Sequence, residues 1–249
     1  MPFDLDDDEL EATRKLYYKR NHYDTYREIE TDKTLDKMEE NKMKKDLTEI
    51  IFVLDRSGSM SSLAEDTIGG FNSYIESQKK EKGRALVTTV LFDNEYEILH
   101  NGVNLNDIQP LTDKEYFARG TTALLDAVGK TILDVGARLN KTPEEERPEK
   151  VIMIITTDGQ ENASREFTKE QLKKMIEEQQ NKYSWQFIFL GANIDAVQEA
   201  ADFGISPQCA SNYVATRGGT KDMWTTMNSI TTQYRDTGKI EDDWNKNLK

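Results

Sequence analysis

Apolar residues gather along this chain in two patterns, and the patterns alternate. Short unbroken runs, Ile50-Ile51-Phe52-Val53-Leu54 and Val151-Ile152-Met153-Ile154-Ile155, have the length and branched content of strands buried on both faces. Elsewhere apolar positions recur three and four residues apart, the period of a helix with one buried side. Met60, Leu63, Thr67, Phe71 and Ile75 predict a helix ending near Lys82-Gly83. Leu125, Val128, Ile132 and Val135 predict a second, and Leu172, Met175 and Ile176 a third within 167–180. Residues 85–92 and 96–99 read as strands joined by an Asp93-Asn94 turn, which makes a hairpin. A strand over 185–190, a helix over 194–203 and a short strand at Tyr213-Val214 follow. Thr220 can cap a last helix that carries Met223, Met227, Ile230 and Tyr234 on one side. The Gly69-Gly70 pair inside the first helix costs helix stability and so points to close packing there.

Strands alternating with helices predict an α/β fold: a doubly wound, mostly parallel central sheet with helices on both faces and one antiparallel edge strand. The pattern spans residues 48–236. Residues 1–47 differ, with dense charge (Asp6-Asp7-Asp8-Glu9, Lys42-Met43-Lys44-Lys45) and scattered Leu10, Leu16, Tyr17, Tyr18, Tyr23, Tyr26 and Ile29. They read either as one or two exposed helices or as a disordered charged arm. Residues 237–249 read as a polar C-terminal tail.

Composition removes several function classes. The 249 residues carry a formal net charge of −13, which argues against non-specific nucleic-acid binding and against adsorption to anionic lipid. No apolar run approaches the ~20 residues of a membrane span. The start, Met1-Pro2-Phe3-Asp4-Leu5-Asp6, is acidic where a secretory signal is basic and then apolar, so a cytoplasmic setting is expected. Cys209 is the only cysteine, and His22 and His100 are the only histidines. Any bound metal must therefore be held by oxygen, which points to hard cations.

Three polar clusters fall where such an ion could sit. Asp55-Arg56-Ser57-Gly58-Ser59 follows the first buried run, Asp158-Gly159 follows the second, and Thr121-Thr122 opens the helix between them. If the two strands are neighbours, all three share one rim of the sheet, where ligands of open α/β sheets bind. Alternating Asp55, Ser57 and Ser59 can turn their oxygens to one side, and Gly58 relieves crowding at the turn. Two carboxylates, two serine hydroxyls and a threonine hydroxyl suit an octahedral ion at roughly 2.1 Å with a position left for water or a ligand. Each cluster alone has a plainer use: Asp and Ser as a helix-capping turn, Thr122 as an N-cap, Asp158-Gly159 as a turn.

In order and placement these residues resemble the von Willebrand factor A domains and their metal-ion-dependent adhesion site, with signature Asp-x-Ser-x-Ser, then Thr, then Asp. Val53-Leu54-Asp55-Arg56-Ser57-Gly58-Ser59-Met60, Gly120-Thr121-Thr122-Ala123-Leu124-Leu125-Asp126-Ala127 and Thr157-Asp158-Gly159-Gln160-Glu161-Asn162 carry the likeness. Gly70-Phe71-Asn72 and Phe187-Ile188-Phe189-Leu190-Gly191-Ala192-Asn193 look like stand-alone bacterial and phage members. The resemblance implies metal ligands Asp55, Ser57, Ser59, Thr122 and Asp158, with either aspartate acting directly or through water. It makes Thr121 structural and leaves Arg56 a surface residue at a tolerant position. It implies Mg2+ or Mn2+ ahead of Ca2+, and a protein partner whose exposed Asp or Glu completes the coordination, with no catalysis. A Mg-dependent phosphoryl hydrolase is the alternative from another class, but its second Asp, two residues after the first, is replaced by Ser57. A structural domain with an inactive site is the other alternative.

Overall fold

The computed structural model describes residues 44–248; the helices or arm expected before them lie outside the described residues. Strand β1 (Lys44–Asp55) begins several residues ahead of the first apolar run and occupies the middle of a six-stranded sheet. With β2 (Arg84–Phe92), β3 (Tyr96–Asn104), β4 (Pro148–Thr157), β5 (Gln186–Gly191) and β6 (Ala210–Asn212), the order across the sheet is β3-β2-β1-β4-β5-β6. All pairs are parallel except β2 with β3, so the one antiparallel strand lies at an edge. Ile50 to Leu54 are fully buried, as a strand covered on both faces requires.

Five helices cover the sheet: α1 (Ala64–Gln78), α2 (Leu124–Lys141), α3 (Lys169–Tyr183), α4 (Ala196–Asp202) and α5 (Arg217–Thr237). Side chains alternate across a strand, so each buried run feeds two cores. Ile50, Phe52 and Leu54 pack with Ile152, Ile154, Ile188 and Leu190 against Phe71, Tyr74 and Ile75 of α1 and Met223, Trp224 and Met227 of α5. Ile51, Val53, Met153, Ile155, Phe187 and Phe189, also buried, project to the opposite face. Phe52, Phe71, Tyr74 and Trp224 meet mostly edge-on, with ring centroids 5.1–6.1 Å apart.

The contact of α1 with α5 explains the glycine pair. A Cβ on Gly70 would stand 2.0 Å from the Trp224 ring, whereas one on Gly69 would meet nothing within 4 Å. We expect Gly70→Ala to destabilise by about 1–3 kcal/mol through overpacking. Gly69→Ala should be neutral or stabilising by up to ~1 kcal/mol, because Ala is the better helix former. Urea melts of the two variants compare them directly, and equal losses would contradict the packing account.

Several boundaries differ from expectation. β3 continues past Leu99 because Val103 and Asn104 still pair with Val87 and Leu86, beyond two register shifts that interrupt the alternation. The last strand is Ala210–Asn212 rather than Tyr213-Val214. Thr216, not Thr220, caps α5: its side chain accepts from Gly219 N, and Gly218-Gly219 in the first turn disguises the helix start. After α5 the chain folds back, with Ile240, Trp244 and Leu248 packed on the core and Trp244 Nε1 donating to the Gln208 carbonyl at 2.6 Å. Among the described residues no helix is long and apolar enough to cross a membrane.

Candidate metal centre

The chain leaves β1 toward β2 and leaves β4 toward β5, so the strand order reverses between these two neighbours. Their carboxyl ends therefore form the crevice in which open α/β sheets bind ligands. Leu54 pairs with Thr156, which sets Asp55 beside Thr157 and just ahead of Asp158. The 102-residue separation of Thr157 from Asp55 is closed by a hydrogen bond, Thr157 Oγ1 to Asp55 Oδ2 at 2.6 Å.

The expected oxygens come together there. Ser57 Oγ and Ser59 Oγ are 3.0 Å apart, and Ser59 Oγ donates to Asp158 Oδ1 at 2.5 Å. The backbone N–H of Ser57 donates to Asp55 Oδ1 at 2.6 Å, folding the loop back on its own carboxylate. Gly159 fixes the position of the threonine: a Cβ there would stand 3.7 Å from Ser59 Oγ and 3.9 Å from Thr122 Oγ1. Asp55 does serve its own turn, but the plainer capping roles do not describe Ser57 or Thr122. Ser57 makes no side-chain cap to the 3-10 turn Gly58–Leu63, and α2 starts after Ala123 with no side-chain cap, so Thr122 Oγ1 does not serve the helix. Thr121 is exposed and Thr122 buried, which separates two residues that are chemically alike.

A second layer holds the donors in place. Thr122 N donates to Asn162 Oδ1, and Thr122 O accepts from Asn162 N and Ala163 N. Glu161 accepts from Leu125 N, Ala163 N and Ser164 N, so its carboxylate binds the first turn of α2 to its own loop. Asp126 accepts from Arg165 N, Glu166 N and Phe167 N, clamping the far end of that loop. Tyr116 OH donates to the Asp55 carbonyl. Sequence reasoning assigns no role to Thr157, Asn162, Glu161, Asp126 or Tyr116. Four of them sit inside the stretches that carry the family likeness, which is the one signal that could have marked them.

Arg56 corrects the sequence reading. It is 1% exposed rather than a surface residue. Its Nε donates to Asp93 Oδ2 at 3.0 Å and its Nη1 to Glu97 Oε2 at 2.7 Å, and Asp93 is itself fully buried. Arg119 Nε reaches the same Asp93 oxygen at 2.8 Å. Backbone bonds Arg56 N to Phe92 O, Arg119 N to Arg56 O and Gly58 N to Gly120 O lay the 117–120 segment along the loop that carries Asp55, Ser57 and Ser59. Gly120 has φ +67, and a Cβ there would meet Asn94 Oδ1 at 2.0 Å, so a side chain is excluded on two grounds.

The electrostatics fit a small divalent cation. Burial pushes the Asp55 carboxyl up to about 6, against hydrogen bonds from Thr157 and Ser57, and the Asp158 charge pushes the same way. Burial also raises Asp158, against the hydrogen bond from Ser59. The neighbouring guanidinium of Arg56 is turned away from them, to Asp93. Two buried carboxylates among hydroxyls form a hard donor set suited to Mg2+ or Mn2+. Among the described residues no group of three or more His, Cys, Asp or Glu is placed to hold a metal, so such an ion would depend on hydroxyl oxygens.

No family model and no curated protein sequence matches the chain. Solved structures do. Proximal thread matrix protein 1 of the mussel byssus, with a zinc-occupied MIDAS motif, aligns over 74% of this chain and 46% of its own at 16% identity and TM-score 0.52. The PilB minor pilin of Streptococcus sanguinis, as its D319A mutant, aligns over 84% of this chain and 65% of its own at 10% identity and TM-score 0.55. The pilus adhesin SpaC of Lactobacillus rhamnosus GG aligns over 74% and 30% respectively, at 13% identity and TM-score 0.56. The chain thus spans less than two thirds of each of these proteins. With the sheet order and the edge strand, the likeness shows a von Willebrand factor A-type fold.

Proposed function

We propose, from that fold and from the rim of its sheet, that the chain is a metal-dependent protein-binding module. Asp55, Ser57, Ser59, Thr122 and Asp158 hold one Mg2+ or Mn2+, and an Asp or Glu of a partner protein completes the coordination. The observation that carries this reading is the meeting of two buried carboxylates with three hydroxyl-bearing side chains at the switch point of the sheet. When bound, the ion supplies a Lewis-acidic contact for an anionic oxygen. The chain's own part is positional. Thr157 and the Ser57 N–H orient the Asp55 carboxylate, Ser59 orients Asp158, and Glu161 and Asn162 set Thr122.

The zinc-occupied motif of the mussel matrix protein and the adhesin role named for SpaC support the reading. A pull-down with the full chain tests it. Wild type is expected to retain a partner in Mn2+ and lose it in chelator, and Asp55→Ala to retain nothing in either. Capture indifferent to both chelator and the substitution would contradict it. With both aspartates committed to the ion, phosphatase and protease assays in Mn2+ are expected to give no turnover that depends on Asp55. A robust activity lost in Asp55→Ala would replace binding with catalysis.

A further inference from the structure

We infer that the rim around the metal centre grips apolar residues on both sides of the partner's acid, through Phe117 on one flank and Val197 with Val214 on the other. The inference rests on the metal-dependent docking proposed above and specifies what docks: an extended segment with one acidic residue between apolar ones.

Only four large apolar side chains stand out into solvent among the described residues: Phe117 (43% exposed), Tyr183, Val197 (38%) and Val214 (48%). Exposed apolar residues scattered singly need no explanation. Here the placement is what matters, because Phe117, Val197 and Val214 lie in connections at the rim that carries Asp55 and Asp158, and Tyr183 alone lies at the other end, before β5.

Phe117 lies in the segment bonded along the Asp55–Ser59 loop. Its ring is flanked by the guanidinium carbons of Arg56 at 5.7 Å and Arg119 at 5.3 Å, and the buried Arg56 cannot swing away. An exposed aromatic already held in place loses little freedom on binding, the condition for an interface anchor. On the other flank, Asn193 Nδ2 donates to the Asp158 carbonyl at 3.3 Å, so the loop after β5 abuts the second carboxylate. Asn212 Oδ1 accepts from Ala196 N at 3.3 Å, and Tyr213 N donates to Gly191 O at 3.0 Å. These bonds draw the start of α4, with Val197, and the end of β6, with Val214, to the same edge.

The spacing selects the occupant. Strands lie about 4.8 Å apart, so β2 to β6 is roughly 19 Å, with the metal centre between β1 and β4. An extended chain advances ~3.3 Å per residue, so the roughly 12 Å from the metal centre to β6 takes three or four residues on the Val214 side, whereas the Phe117 segment, bonded along the loop after β1, lies closer to the acid on the other. Charge favours the same composition. With a formal net charge of −13, this protein on balance disfavours a polyacidic partner. Neutral apolar flanks add contact without that repulsion.

The test pans displayed random nonapeptides with a fixed central Asp on the full chain, in Mn2+ and in chelator. Mn2+-dependent selections are expected to be enriched in apolar residues on both sides of the Asp. Phe117→Ser should weaken a selected peptide at least about tenfold and remove the preference on one side. Val214→Ser should remove it on the other, and neither should change the Mn2+-induced rise in melting temperature. Asp-dependent binding without flanking preference, binding unaltered by both substitutions, or no Mn2+-dependent peptide from a protein that still binds Mn2+ each overturns the inference. A wild type whose melting temperature ignores Mn2+ overturns the metal centre first, and the rim with it.

Discussion

Mg2+ or Mn2+ added to chelator-treated protein is expected to raise its melting temperature by roughly 5–11 °C at about a hundred times the dissociation constant, and Asp55→Ala is expected to abolish the rise. A ligand bound only by the folded state stabilises by about 2.7 kcal/mol at that excess. A domain of this size shifts by roughly 2–4 °C per kcal/mol. The donors exist as a set only in the folded chain, since Ser59 and Asp158 lie 99 residues apart and meet through the pairing of β1 with β4. Removing a buried carboxylate changes the starting stability by itself, so the quantity to read is the metal-dependent increment. Thermal scans with each metal check it; an equal increment in Asp55→Ala, or none in wild type, refutes the assignment.

Arg56→Ala is expected to lower the unfolding free energy by about 3 kcal/mol, and Arg56→Lys to recover little of it. Removing one partner of a buried ion pair typically costs about 3–5 kcal/mol because the remaining charge stays buried. Arg119 still reaches Asp93, which places the loss at the low end. Lysine cannot replace the fork, since Arg56 bonds Asp93 through Nε and Glu97 through Nη1 at once. Denaturant midpoints measure the effect, and a loss under about 1 kcal/mol would mean that the pair contributes little beyond its own desolvation.

The two aspartates stand out in the sequence because Asp55 directly follows one apolar run of strand length and Asp158 follows another after two threonines. The sheet with its antiparallel edge follows from the same runs and from the Asp93-Asn94 turn. Thr122 is legible only through resemblance, since composition cannot tell it from Thr121; burial and the neighbouring Gly159 separate them. Arg56 is misread because an arginine in a loop carries no periodicity, and the acids that bury it, Asp93 and Glu97, belong to a hairpin that meets the loop only in three dimensions. The start of α5 is misplaced by Gly218-Gly219, whose low helix propensity hides a helix held by packing. Side chains that bond the backbone of a distant loop, as Glu161 and Asp126 do, leave no local pattern at all.

The crossing between β1 and β4 has a consequence for how the molecule is made. Three of the five candidate donors are synthesised early, but Asp158 follows Ser59 by 99 residues, several seconds or more at roughly 5–20 residues per second. An ion bound at the proposed centre would therefore not help the first strands and α1 to fold as they emerge. It would act only afterwards, as a latch that slows the opening of a sheet already assembled.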